Sequence, residues 1–130
     1  MSHNKRAKEI LIKKYGAVCF IERLKLRKEP RIYKSKKQYK KMKQLTYHHI
    51  IEKQFGGETT EDNGALLSVE NHEWLHQQTE ERKQEINDML QELKVEYVDE
   101  LDTRYQVLPK VITFDEKGRI IEKVVEKGER

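Results

Sequence analysis

A chain of 130 residues that is 35% hydrophobic and 38% charged has material for one modest core, since soluble domains average roughly 45–50% apolar and ~25% charged residues. Its longest uncharged apolar run, Gly16 to Ile21, is far short of the ~20 residues of a membrane-spanning helix, and the lone Cys19 excludes an internal disulfide framework. The net charge of +4 conceals a division: residues 1–47 hold sixteen Lys/Arg against three Glu, and residues 48–130 hold eleven against twenty Asp/Glu.

Ser2 is placed to cap a helix running to about Tyr15, with Ile10, Leu11 and Tyr15 on one stripe and Gly16 at a left-handed stop. Met1 to Arg6 lead into this charged stretch rather than into an apolar secretory segment, so with a single cysteine a cytoplasmic protein is expected. Ala17 to Leu26 alternates as an extended segment, with a helix over Phe20 to Leu26 as the other reading. Residues 27–44, with Pro30 and the lysines from Lys34 to Lys43, have little to bury and read as a basic arm, partly helical at best. Such an arm suits a polyanion, because each neutralised phosphate releases counterions, although a charge run is also the ordinary form of a solvated face.

Leu45 to Ile51 is rich in β-branched and aromatic residues and reads as a strand. Gly56-Gly57 forces a turn, a polar loop follows to Gly64, and a short strand Ala65-Leu66-Leu67 leads into a helix capped by Ser68. From Thr79, apolar residues three and four apart (Ile86, Met89, Leu90, Leu93, Tyr97, Leu101, Tyr105) predict a long amphipathic helix of about seven turns, continuous with the preceding one or nearly so. Beyond Pro109, Val111–Phe114 and Arg119–Val125 flank Asp115-Glu116-Lys117-Gly118 as a hairpin. The fold class is therefore α+β, with segments 1–44, 45–78 and 79–130 in one compact domain and a homodimer through the long helix as a candidate partnership.

Four of the five histidines, His48, His49, His72 and His76, fall within 29 residues. Residues four apart on a helix differ by about 40°, so His72 and His76 project side by side as a bidentate metal grip, with Trp74 turned toward the core. Strand alternation sends His48 and His49 to opposite sides unless a bulge turns both to one cleft. Taken singly, each signal has a plainer reading: a surface histidine pair, a turn asparagine at Asn63 before Gly64, a small buried hydrophobe at Cys19.

Taken in order, Leu45-Thr46-Tyr47-His48-His49-Ile50-Ile51, Gly56-Gly57, Glu61-Asp62-Asn63-Gly64-Ala65-Leu66-Leu67 and Asn71-His72-Glu73-Trp74-Leu75-His76 resemble the HNH endonuclease family. The likeness spans Leu45 to His76 and is nearest to the nuclease domains of DNase colicins; many other members place Asp at position 48. It implies a ββα-metal finger that hydrolyses phosphodiester bonds of DNA, double-stranded by preference. By the same resemblance His49 is the general base, Asn63 orients it, and His48, His72 and His76 hold one divalent ion. By ligand softness that ion is Zn²⁺, Ni²⁺, Co²⁺ or Mn²⁺, and the family adds Mg²⁺. Many relatives also carry a zinc ribbon of four cysteines; the matching positions here are Cys19, Glu22, Ser68 and Asn71, so no structural zinc is expected and packing must replace it. A noncatalytic nucleic-acid-binding module that keeps the finger is the alternative.

Overall fold

The computed structural model describes residues 3–98 and 101–126 and has an α+β architecture. Helix α1 (His3–Tyr15) and the single-turn α2 (Phe20–Arg23) are followed by strand β1 (Arg31–Tyr33), α3 (Lys36–Lys43), β2 (Leu45–His49), β3 (Gly64–Ser68) and α4 (Val69–His76). Then come α5 (Glu80–Glu96) and the hairpin β4 (Lys110–Phe114) and β5 (Ile120–Val124). No helix among the described residues is long and apolar enough to cross a membrane.

On α1 the buried stripe is Ala7, Leu11 and Tyr15, whereas Ile10 is 38% exposed. Gly16 stops the helix at φ +87°, its N–H returning to Ile12 O at 2.8 Å. Ser2, the expected cap, lies outside the described residues.

Two stretches depart from expectation. The extended reading of Ala17 to Leu26 is corrected by α2, which buries the adjacent Phe20 and Ile21 completely, as alternation on one face cannot. Arg23, also buried, donates to Tyr15 O at 2.6 Å and Tyr105 O at 3.3 Å. The first of these carbonyls ends α1, where the helix dipole favours a cation. The loose basic arm is corrected as well. Ser35 Oγ accepts from Gln38 N at 3.2 Å and starts a full α3, and Tyr33 is buried in β1 with its ring edge-on to Tyr39. Lys43, the last residue of α3, bonds both Glu70 and Glu122 at 2.7 Å.

The expected long helix is also shorter. Thr79 Oγ1 accepts from Arg82 N and separates α5 from α4, and the chain leaves α5 at Tyr97, which packs against Tyr15 and Tyr105. Its stripe Ile86, Leu90 and Leu93 is no more than 2% exposed. The apolar face proposed for a second copy therefore lies in the chain's own core, beside Leu11 of α1 and Leu66 of β3.

Strands β2 and β3 pair antiparallel from Leu45↔Ser68 to His49↔Gly64 without an extra residue, and α4 packs on both. The loop between them turns at Gly57, where a Cβ would lie 1.7 Å from Ile51 O, so only glycine fits. The other sheet has the order β1-β5-β4. A buried charge network joins it to α4: Glu70 meets Arg31 and Lys43, Glu122 meets Lys43 and Lys110, and Glu22 meets Lys110 and Arg31.

Candidate functional site

Regular pairing of β2 keeps alternation intact. Thr46 and His48 face α4, while Tyr47 and His49 face the 58–60 loop, their rings edge-on at 4.8 Å. The sequence left the direction of the two strand imidazoles open; they lie on opposite faces, with no bulge to unite them.

On the α4 side three imidazoles converge. One nitrogen from each of His48, His72 and His76 lies within 4.8 Å of the others. His72 and His76 stack at 4.8 Å, as residues one helical turn apart should. His48 is 4% exposed, His72 half-buried and His76 exposed, so the cluster is closed by the strand and open along α4. There a cavity of about 410 Å³ is lined by Thr46, Val69, His72, Glu73, His76 and Gln77.

Hydrogen bonding fixes the tautomers. Thr46 Oγ1 gives its proton to Leu67 O at 2.7 Å, so it must accept from His72 Nδ1 at 2.8 Å. His48 Nε2 donates to Asn87 Oδ1 at 2.8 Å. The remaining nitrogens, His48 Nδ1 and His72 Nε2, therefore point lone pairs at each other across 3.3 Å. Burial, followed for His48 by opposing help from Asn87 and for His72 by the neighbouring imidazoles, holds both pKa values down at about 4. At neutral pH no proton sits between them, and two facing lone pairs repel. A shared cation relieves the conflict: zinc–nitrogen bonds near 2.0–2.1 Å in tetrahedral geometry separate two nitrogens by about 3.3–3.4 Å. The donor set thus fits a divalent ion, and Thr46 and Asn87 fix the rings of His72 and His48 that would hold it.

On the other face, His49 Nε2 bonds Thr59 Oγ1 at 2.8 Å, and among the described residues nothing bonds Nδ1. Burial, then the charge of Lys53, lowers its pKa below the ordinary histidine value, leaving a neutral base. Asn63 does not touch the ring. Its Oδ1 accepts from Ile51 N at 2.8 Å, and its Nδ2 donates to Ile51 O and Glu58 O, both at 2.9 Å. Asn63 therefore ties the loop carrying Thr59, the partner of His49, to the end of β2. Lys94 of α5 clamps the same loop through the carbonyls of Glu61, Asp62 and Gly64, and burial brings its pKa down to about 8.

Comparison of the chain with protein-family models, curated proteins and solved structures gives no match.

The four positions matching the ribbon cysteines do meet. Asn71, fully buried, donates to Cys19 Sγ at 3.3 Å and Glu22 Oε1 at 3.4 Å, accepts from Arg27 at 2.9 Å, and is capped by Ser68 Oγ. Hydrogen bonds and the Glu22 ion pairs occupy this corner. Glu22, Glu70 and Glu122 also lie close enough to share an ion, but Arg31, Lys43 and Lys110 already balance their three charges.

Thr46, Thr59 and Asn87 were missed by the sequence reading. Thr46 was legible, two residues before His48 and so on its face of the strand. Asn87 gave no signal, because it arrives from a helix 39 residues away.

Proposed function

We propose that the chain is a metal-dependent HNH-type endonuclease acting on DNA, with β2, β3 and α4 as its ββα-metal finger. The observation that carries this reading is the pair of opposed lone pairs on His48 and His72, each aimed by a hydrogen bond on the far side of its ring.

His48, His72 and His76 would hold the ion, three neutral nitrogens leaving positions open for oxygen ligands. Bound there, a divalent ion supplies Lewis-acid polarisation of a phosphate and stabilises the leaving oxygen. His49 Nδ1 takes the proton of the attacking water, and Thr59 at Nε2 keeps the ring in place during the transfer. Lys36, Lys37, Lys40 and Lys41, exposed on α3, ride on the helix that carries His72 and His76 and bind flanking phosphates. A cavity of about 690 Å³ between the 50–63 loop and α5 is lined by Glu52, Asp62, Glu80 and Asp88 against Lys83, and this acidic excess disfavours a phosphate backbone.

The placement of His48 and His49 on opposite faces of β2 favours a second reading, a nucleic-acid-binding module whose imidazoles hold an ion without cleaving. Plasmid incubated with the protein and a series of divalent ions separates the two. Nicked or linear product that EDTA abolishes and His49→Ala lowers by about 10²–10⁴ supports the nuclease. DNA retention without cleavage under every ion supports the module, and a His49→Ala variant that cuts like wild type removes the base assignment.

A further inference from the structure

The two free edges of the β1-β5-β4 sheet are unequal. β1 is three residues long, follows Pro30 and begins with Arg31; shortness, proline and charge are the usual devices that keep an edge from pairing. β4 also follows a proline and begins with a cation, Pro109 and Lys110, but it is five residues long and the four residues after Lys110 carry no charge. Between Lys110 and Asp115 it reads Val111-Ile112-Thr113-Phe114, and Val111, Ile112 and Phe114 are 46%, 42% and 61% exposed.

Its backbone groups can be assigned one by one. Asp115 N bonds Arg119 O at 3.0 Å and Val125 N bonds Pro109 O at 2.8 Å. With the register Val111↔Lys123 and Thr113↔Ile121, the odd-numbered residues face β5, so the N–H and C=O of Lys110, Ile112 and Phe114 point out of the sheet. Among the described residues no strand pairs with them. The side chains show the same incompleteness. Tyr33 and Ile120 share a row with Phe114, and Arg31 and Glu122 share one with Ile112. In each row the β1 and β5 members are buried and the β4 member is exposed.

We propose that β4 pairs antiparallel with β4 of a second copy of this chain, about a two-fold axis at Ile112, fusing two three-stranded sheets into one. A strand laid on its own copy in this way is self-complementary, because an axis perpendicular to the sheet keeps inner face on inner face. Ile112 meets Ile112 at the centre, and at each end the methylene stem of Lys110, whose ammonium stays on Glu22 and Glu122, meets Phe114 of the second copy. Each facing pair adds two backbone hydrogen bonds. The pairing goes beyond the nuclease reading and stands or falls apart from it.

Sedimentation velocity of the full chain over a micromolar to submillimolar series is expected to show a species of twice the chain mass that dissociates on dilution. Ile112→Pro removes an N–H that β5 does not use, so the hairpin persists while the edge is blocked. It is expected to raise the dimer dissociation constant by about a hundredfold or more. Ile112→Lys, which keeps the N–H but sets two charges about the axis, is expected to act in the same direction should the proline variant fold poorly. Amide exchange gives a second readout: Ile112 and Phe114 gain protection with concentration, whereas Val111 and Thr113 are protected throughout. A monomer across the whole series, a dimer that both variants leave intact, or protection of Ile112 and Phe114 in the monomer overturns the inference.

Discussion

Thr46→Val isolates the tautomer argument. Valine keeps the shape of the side chain but removes the hydroxyl that donates to Leu67 O and accepts from His72 Nδ1. Loss of these partners in a half-buried position costs about 1–2 kcal/mol of stability. The larger effect falls on the ion. Without an acceptor at Nδ1, the His72 proton is free to move to Nε2, the nitrogen that faces His48, and a protonated nitrogen cannot ligate. Loss of such an outer partner lowers metal affinity about 10–100-fold, or about 1.4–2.7 kcal/mol. Competition titration of Zn²⁺ against a chromophoric chelator at neutral pH measures the affinity, with thermal unfolding of the metal-free proteins alongside. Thr46→Ser restores the hydroxyl and is expected to recover most of the binding. A valine variant with wild-type affinity, or a loss that serine leaves unrepaired, refutes the assignment.

Lys43→Met removes one of two cation partners from Glu70 and from the 1%-exposed Glu122, leaving Arg31 and Lys110 in place, and the loss of these charged hydrogen bonds is expected to cost about 1.5–3 kcal/mol in urea unfolding; an unchanged stability contradicts the network. Neutralising Lys36, Lys37, Lys40 and Lys41 together is expected to flatten the slope of log affinity for DNA against log salt by ~0.9 per lost phosphate contact, and an unchanged slope returns these lysines to a solvated face. The metal-free protein is expected to lose stability as pH falls. His48 and His72, with pKa values near 4 in the fold, stay unprotonated while the unfolded chain takes up protons around 6.5, so their contribution is complete above 6.5 and drains away toward 4. Glu122 adds to the acid side of this trend: burial alone would raise its pKa, but Lys43 and Lys110 hold it below the usual carboxylate value. A melting temperature constant from pH 6.5 to 4 refutes the burial of neutral imidazoles.

Local punctuation explains which elements were legible. Gly16, Ser68 and the Asp115–Gly118 turn each specify backbone geometry within a few residues, and α1, α4 and the β4–β5 hairpin follow from them. The grip of His72 and His76 was readable for the same reason, since helical period alone places them together. The arm failed because its stability comes from afar: Lys43 reads as surplus charge until Glu122, 79 residues on, is seen beneath it. Phe20 and Ile21 failed because burial on two sides by β3 and α5 leaves no period to detect. Asn63 was legible as a turn residue, and its bonds to Ile51 and Glu58 tie the loop to the end of β2 without reaching His49.

The bond from Asn87 to His48 gives α5 a share in the imidazole cluster that its distance in sequence conceals. A graft of residues 45–78 onto a foreign scaffold would transplant all three nitrogens yet leave His48 at liberty to turn its proton inward. The portable unit reaches at least to residue 87, and α5 is one of the walls of the cluster.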